Sequence, residues 1–292
     1  MFEFNLKNED NLRRAIISVI AFFDLFEYPL SAFEIWKYLD RRIDFSEIFK
    51  ILNKELVALS PVIESKWGFY FLKGRKNNII TRQKRYNYTN QKIKIARRFS
   101  KVFSFWPFVK LTAVSNLIGD HNLRDESDID FFIITSTKRI WLSRFFCAGL
   151  AKLLNSRPRV NNKKNKICLS FYIAENDLNL NKLRLETDPY FDYWIRSLFL
   201  LYNKRDTYNK FLSANGLVSP QREESKTSVN RLLDILETIA RKIQLRIMPK
   251  ELKAKINKSE GVYIGDNILK LHLHDKRQEF FNKYISKINE IL

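Results

Sequence analysis

The sequence predicts an α/β chain of the α+β kind in three units, and three observations lead there. Two helix-capping signals and a strand-turn-strand pattern crowd residues 1–75. In residues 76–185, apolar runs of strand length surround a pair of aspartates spaced i, i+2, and a basic helix follows. In residues 186–292 the apolar residues return to helical spacing.

The elements follow in order. Asn11–Phe26 is an amphipathic helix stopped by the Glu27-Tyr28-Pro29-Leu30 turn, and Asp24 breaks its apolar run. Ser31-Ala32-Phe33-Glu34 is a capping box for a second helix, and Asp44-Phe45-Ser46-Glu47 opens a third that runs through Leu59. After Pro61, Val62–Glu64 and Phe69–Leu72 bracket a hairpin turn at Ser65–Gly68. Lys73–Lys101 holds no Asp or Glu, and its second part, Asn90–Phe103, has helical periodicity. Val109–Val114 reads as a strand, Asn116–Glu126 as a loop, Asp128–Ile134 as the next strand, and Lys138–Leu154 as a helix. Ile167–Ile173 is a further strand. Phe191–Tyr202 and Arg231–Met248 read as helices with the polar loop Ser213–Ser228 between them. A hairpin at Gly261–Asn267, a short run Ile268–His274 and a helix Lys276–Ile291 close the chain.

Composition narrows the partners. The 292 residues carry a net charge of +20, and such a field attracts polyanions. In Lys73–Lys101 the cations alternate with Tyr86, Tyr88 and Phe99, a mixture suited to RNA or single-stranded DNA, with Arg82, Lys84 and Arg85 as the expected contacts. A solvated basic face is the alternative. No apolar run reaches the ~20 residues of a membrane span, no targeting signal opens the chain, and the two cysteines, Cys147 and Cys168, form no metal or disulfide pattern. A soluble cytoplasmic protein without a membrane partner is expected.

The chemistry concentrates at Ser127-Asp128-Ile129-Asp130. Side chains at i and i+2 of a strand share a face, so Asp128 and Asp130 together can hold divalent cations while Phe131–Ile134 enters the core. With the strand before it and the basic helix after it, this pattern resembles the nucleotidyltransferase superfamily typified by DNA polymerase beta. The resemblance implies Mg²⁺ (or Mn²⁺) on Asp128 and Asp130, a nucleoside triphosphate, and transfer of a nucleoside monophosphate to a hydroxyl. It also implies nucleotide contacts from Asn116, Gly119, Ser127, Lys138, Arg139 and Arg144.

Two departures from the family pattern stand out. Asn116 and Leu117 occupy the place of its Gly-Ser turn, with Gly119 three residues on. The strand where a third carboxylate is usual has Ser170 at its centre, and Glu175 just beyond is the available substitute ligand. Loss of the third carboxylate should weaken activation of the attacking hydroxyl more than nucleotide binding. The alternative expectation is therefore a catalytically inactive relative that binds nucleotide or nucleic acid as a regulatory module.

The three helices and hairpin at the front resemble a winged helix-turn-helix. Their order with Asp24–Leu30 and Arg139–Leu142 resembles uncharacterised bacterial nucleotidyltransferase-like proteins with a winged-helix front end. The expected third helix mixes Lys50, Asn53 and Lys54 with Glu47 and Glu55, a nearly neutral face for a DNA reader. His272 and His274 share one face of a short strand, a weak metal signal; His121 reads as a loop residue, and both cysteines read as small core residues.

Overall fold

The computed structural model describes residues 9–39, 43–53, 62–159, 161–186, 188–219, 230–258 and 261–292. The expected end of the third helix, with Lys54 and Glu55, lies outside them, as does Pro220–Ser228 of the expected loop.

Local chemistry sets the first elements: α1 (Glu9–Asp24), β1 (Leu30–Ser31), α2 (Ala32–Tyr38), α3 (Phe45–Ile51), β2 (Ile63–Lys66) and β3 (Phe69–Leu72). Ser31 Oγ accepts from the Glu34 N–H, Glu34 Oε2 accepts from the Ser31 N–H, and Asp44 accepts from the Ser46 N–H. The strands form an antiparallel sheet ordered β1-β3-β2, turned at Trp67-Gly68, both with positive φ. Asp24, the polar break in α1, is buried and accepts from Arg75, Asn78 and Lys287. That one carboxylate ties the first helix to the last.

The basic stretch is one helix, α4 (Asn78–Ser104), beginning well before the expected Asn90. Its first half lacks an apolar period because tertiary partners satisfy its charges: Arg82 chelates Glu34, and Arg85 reaches Glu27 and the Phe26 carbonyl.

The rest of the chain builds β4 (Val109–Val114), β5 (Ile129–Thr135), α5 (Ile140–Leu153), β6 (Ile167–Ala174), α6 (Pro189–Ser197), β7 (Phe199–Asn203), α7 (Thr207–Ala214), α8 (Arg231–Ile247), α9 (Lys250–Ala254), β8 (Val262–Ile264), β9 (Ile268–Leu271) and α10 (Arg277–Ile291). The strands form one mixed sheet ordered β7-β4-β5-β6-β9-β8, with β5 and β6 parallel and every other pair antiparallel. The architecture is mixed α/β, compatible with α+β.

Two expectations change here. The segment Phe191–Tyr202 is not one helix: α6 stops at Ser197, and Phe199–Asn203 pairs with the open edge of β4. Residues 186–292 are not a purely helical unit either, since they supply β7, β8 and β9 at both flanks of the sheet.

The period of two along β5 divides the core. Phe132 and Ile134 pack with α1, α2 and α6, whereas Phe131 and Ile133 pack with Phe103 of α4 and Trp141 and Cys147 of α5. The N-terminal unit thus shares its core with one face of the sheet. Asp130, two residues before Phe132, belongs to that same face.

Candidate functional site

The site is built where β5 begins. Lys92, buried on α4, donates to the carbonyls of Asp125 and Ser127 and to Asn165 Oδ1 at 2.8, 2.7 and 2.9 Å. It fixes the loop that delivers Asp128. Asn116 finishes the job from just past the end of β4: its amide donates to the Asp128 carbonyl at 2.9 Å, and its Oδ1 faces the Asp130 N–H at 3.4 Å. Asn116 therefore staples two strands, using the polar atoms that a phosphate-binding turn would present outward.

Asp128, Asp130 and Cys168 lie together, with their ligand atoms within 4.8 Å of one another. Cys168 is the register partner of Asp130 on β6. One extra residue in β6 between Cys168 and Phe171 answers the step from Asp130 to Phe132, a bulge that brings neighbouring β6 residues toward one side. Cys168 contacts Ser170 at 3.3 Å, and Ser170 contacts His272 Nε2 at 3.1 Å. Burial and the neighbouring Asp128 push the Asp130 carboxyl up to about 7, and burial raises Asp128 as well. Burial, with both carboxylates beside it, holds the Cys168 thiol well above its ordinary value, so it stays protonated.

Beside the pair opens a cavity of ≈ 250 Å³. Asp130 and Asn116 line its floor, and its walls are aromatic: Phe171 stacks on Trp194, and Tyr190 stacks on Phe280, each at 5.7 Å between centroids. The cations at this cavity are Lys270, Lys276 and Arg277. Two of them are already matched, Lys270 to Asp275 at 2.6 Å and Arg277 to Asp188 at 2.7 Å. Burial alone would raise the Asp275 carboxyl, but Arg277 and Lys270 hold it well below the usual range.

Several expected site residues lie elsewhere. Glu175 follows the far end of β6, where its N–H bonds the Thr135 carbonyl and its carboxylate faces Lys110 at 3.6 Å. A parallel strand pair puts it a strand's length from Asp130, too far to complete the same metal. Lys138 and Arg139 follow Thr135 at that same far end, and Arg139 is buried against Asp234 at 2.7 Å. Arg144 is on α5, against the opposite face of the sheet, bonded to Gln244. Gly119 packs between the N-terminal unit and α6: the Tyr28 ring covers its α-carbon, and its N–H donates to Ser197 Oγ. Ser127 stays at the site beside Asp128, with its hydroxyl donating to the Arg124 carbonyl. Arg82 and Arg85 are spent on Glu34 and Glu27, while Lys84 points to solvent.

The sequence reading missed Cys168, Lys92, Asp188, Asp275 and Arg277. Cys168 had a usable signal, a polarisable side chain at the β6 position facing the Asp pair. Lys92, Asp188 and Arg277 depend on contacts across long sequence separations, whereas Asp275 had a local signal in its neighbours Lys270 and Arg277. His272 and His274 join no group of three ligands among the described residues.

No protein-family model, curated protein or solved structure matches the chain.

Proposed function

We propose that this protein binds a divalent cation, Mg²⁺ or Mn²⁺, on Asp128 and Asp130 and, through it, the phosphates of a nucleoside triphosphate, for transfer of a nucleoside monophosphate to a hydroxyl. The observation that carries this reading is two carboxylates converging at one strand end, with one of them on the floor of an aromatic-walled cavity. Oxygen donors suit these hard ions, and burying two acids side by side costs least when a cation sits between them. The metal would supply charge neutralisation for the phosphates. Trp194, Phe171, Tyr190 and Phe280 offer flat surfaces for a base.

A second reading, binding without transfer, is favoured by Cys168. It stands where a third oxygen ligand would complete a second metal, and a protonated thiol is a poor ligand for Mg²⁺. The winged-helix resemblance of the N-terminal unit supports a packing role: Lys37 pairs with Asp120 at 2.8 Å, and Arg196 donates to the Lys37 and Leu39 carbonyls. For RNA or single-stranded DNA, the cations open to solvent on α4 are Lys84, Lys94, Arg97, Arg98 and Lys101.

Mn²⁺ titration with and without a nucleoside triphosphate tests the proposal, using the wild type and the Asp128→Asn, Asp130→Asn double variant. Equal affinity in both sinks it. Labelled nucleoside triphosphates with mixed cellular RNA and protein as acceptors then separate the two readings: pyrophosphate release that Asp128→Ala abolishes means transfer, and binding without release means the silent relative.

A further inference from the structure

α8 has two unlike sides. Its carboxylates both point inward: Asp234 pairs with Arg139 at 2.7 Å, and Glu237 accepts from the N–H groups of Trp141 and Leu142, capping α5. Ala240 and Gln244 complete the buried side. The outward side carries Leu232, Ile235, Leu236, Ile239, Ile243 and Ile247, between 41% and 74% exposed. Its other exposed residues are Arg231, Thr238, Lys242 and Arg246, with no acid among them.

The apolar residues fall at spacings of three and four and so form one stripe along the helix, ~25 Å long at the rise of an α-helix. A contiguous aliphatic stripe on the order of several hundred Å² is the scale at which exposed apolar surface marks a contact site. Each of its six residues keeps at least 41% of its surface exposed.

We infer that this side of α8 docks on an anionic lipid surface, with the Leu/Ile stripe among the acyl chains and Arg231, Lys242 and Arg246 at the headgroups. Charge selects the occupant. A second copy of the chain would set cations against cations, because the outward side has no acid to answer them. Shape agrees: the face is one convex helix of aliphatic residues, lacking the aromatic anchors and pockets that dominate protein interfaces. A helix with an apolar stripe and a basic edge, as Arg231, Lys242 and Arg246 form here, lies in the plane of a bilayer interface. No described helix is long and apolar enough to cross a membrane, so the contact is peripheral.

The test is flotation of the full chain with vesicles of phosphatidylcholine alone and with phosphatidylserine added. Binding should rise with the phosphatidylserine fraction and fall with salt. An Ile235→Ser, Ile239→Ser, Ile243→Ser variant alters exposed positions only, and an unchanged melting temperature confirms its fold. It should lose at least tenfold in vesicle binding, and Lys242→Glu, Arg246→Glu should lose a similar amount. Equal binding by the serine variant overturns the inference, because the overall charge of +20 would then suffice. Absence of binding to anionic vesicles overturns it too. Self-association that the serine variant abolishes, without vesicle binding, assigns the face to a second copy instead.

Discussion

Cys168 faces Asp130 across the parallel β5–β6 ladder, so the one thiol in the site occupies the register position from which a third carboxylate would meet the other two. Replacing it by Asp should convert a two-oxygen site into a three-oxygen one. Cys168→Asp is expected to bind Mn²⁺ about tenfold more tightly, measured by calorimetry. Crowding a third acid into the pair should also lower the melting temperature in chelator by several degrees (~1 kcal/mol), and Mn²⁺ should restore it. A variant that melts normally in chelator and gains no affinity places residue 168 outside the metal's reach.

Lys92 prepares that site from a distance. Lys92→Met leaves the carbonyls of Asp125 and Ser127 and the Asn165 amide oxygen without their donor, at a cost of about 2 kcal/mol. Hydrogen exchange should quicken through residues 124–128, and Mn²⁺ affinity should fall even at temperatures where the variant is folded.

Arg82 and Lys84 separate structural charge from available charge on one helix. The Arg82–Glu34 pair is mostly buried, and Arg82→Ala strands the Glu34 carboxylate, so denaturant unfolding should show a loss of about 3 kcal/mol. Lys84→Glu should leave stability within ~0.5 kcal/mol and reduce the salt dependence of any RNA binding. The reverse pattern refutes this division.

Gly119 offers a packing test. Its φ is +84°, and an added Cβ would lie 2.5 Å from a Tyr28 ring carbon. Gly119→Ala should therefore cost at least about 2 kcal/mol by strain and clash together. A nucleotide-contacting glycine predicts the opposite, normal stability with weaker ligand binding.

His272 should make the fold sensitive to acid. Burial, with Lys270 nearby, pushes it down to about 4 from its ordinary 6.5. Because the folded value is the lower one, its contribution is complete above pH 6.5 and drains away as pH falls to about 4, to a total of about 3 kcal/mol. His272→Gln should flatten the stability profile across that window. An unchanged slope assigns the sensitivity to other groups.

How legible was this in the sequence? The capping box at Ser31 and Glu34, the hairpin turn at Trp67-Gly68 and the strand at the Asp pair could be read directly, because each depends on residues a few positions apart, although that strand starts at Ile129 and leaves Asp128 just before it. Phe199–Asn203 was misread, since its alternation is too short to oppose a helical period and only the open edge of β4 makes it a strand. The expected phosphate-binding cations misled for the same reason. Arg139 and Arg144 are near the Asp pair in sequence, yet a strand of seven residues and a turn onto α5 carry them to the far end and the opposite face. Arg82 and Arg85 look like ligands for phosphate until Glu34 and Glu27 arrive from the other end of the N-terminal unit.

The strand order also sets a schedule for synthesis. β4, β5 and β6 are complete by Ala174, but the strands that flank them come from residues 199–203 and 268–271. A chain leaving the ribosome therefore carries three apolar strands with both outer edges unpaired until Phe199–Asn203 emerges, and the β6 edge stays bare while almost a hundred residues are added behind Ala174, the circumstance in which nascent sheets stick to one another. The N-terminal unit is made first and can cover one face of those strands, but it leaves their edges bare. Premature termination anywhere between Ala174 and Ile268 should accordingly yield a product that retains the paired acids and aggregates.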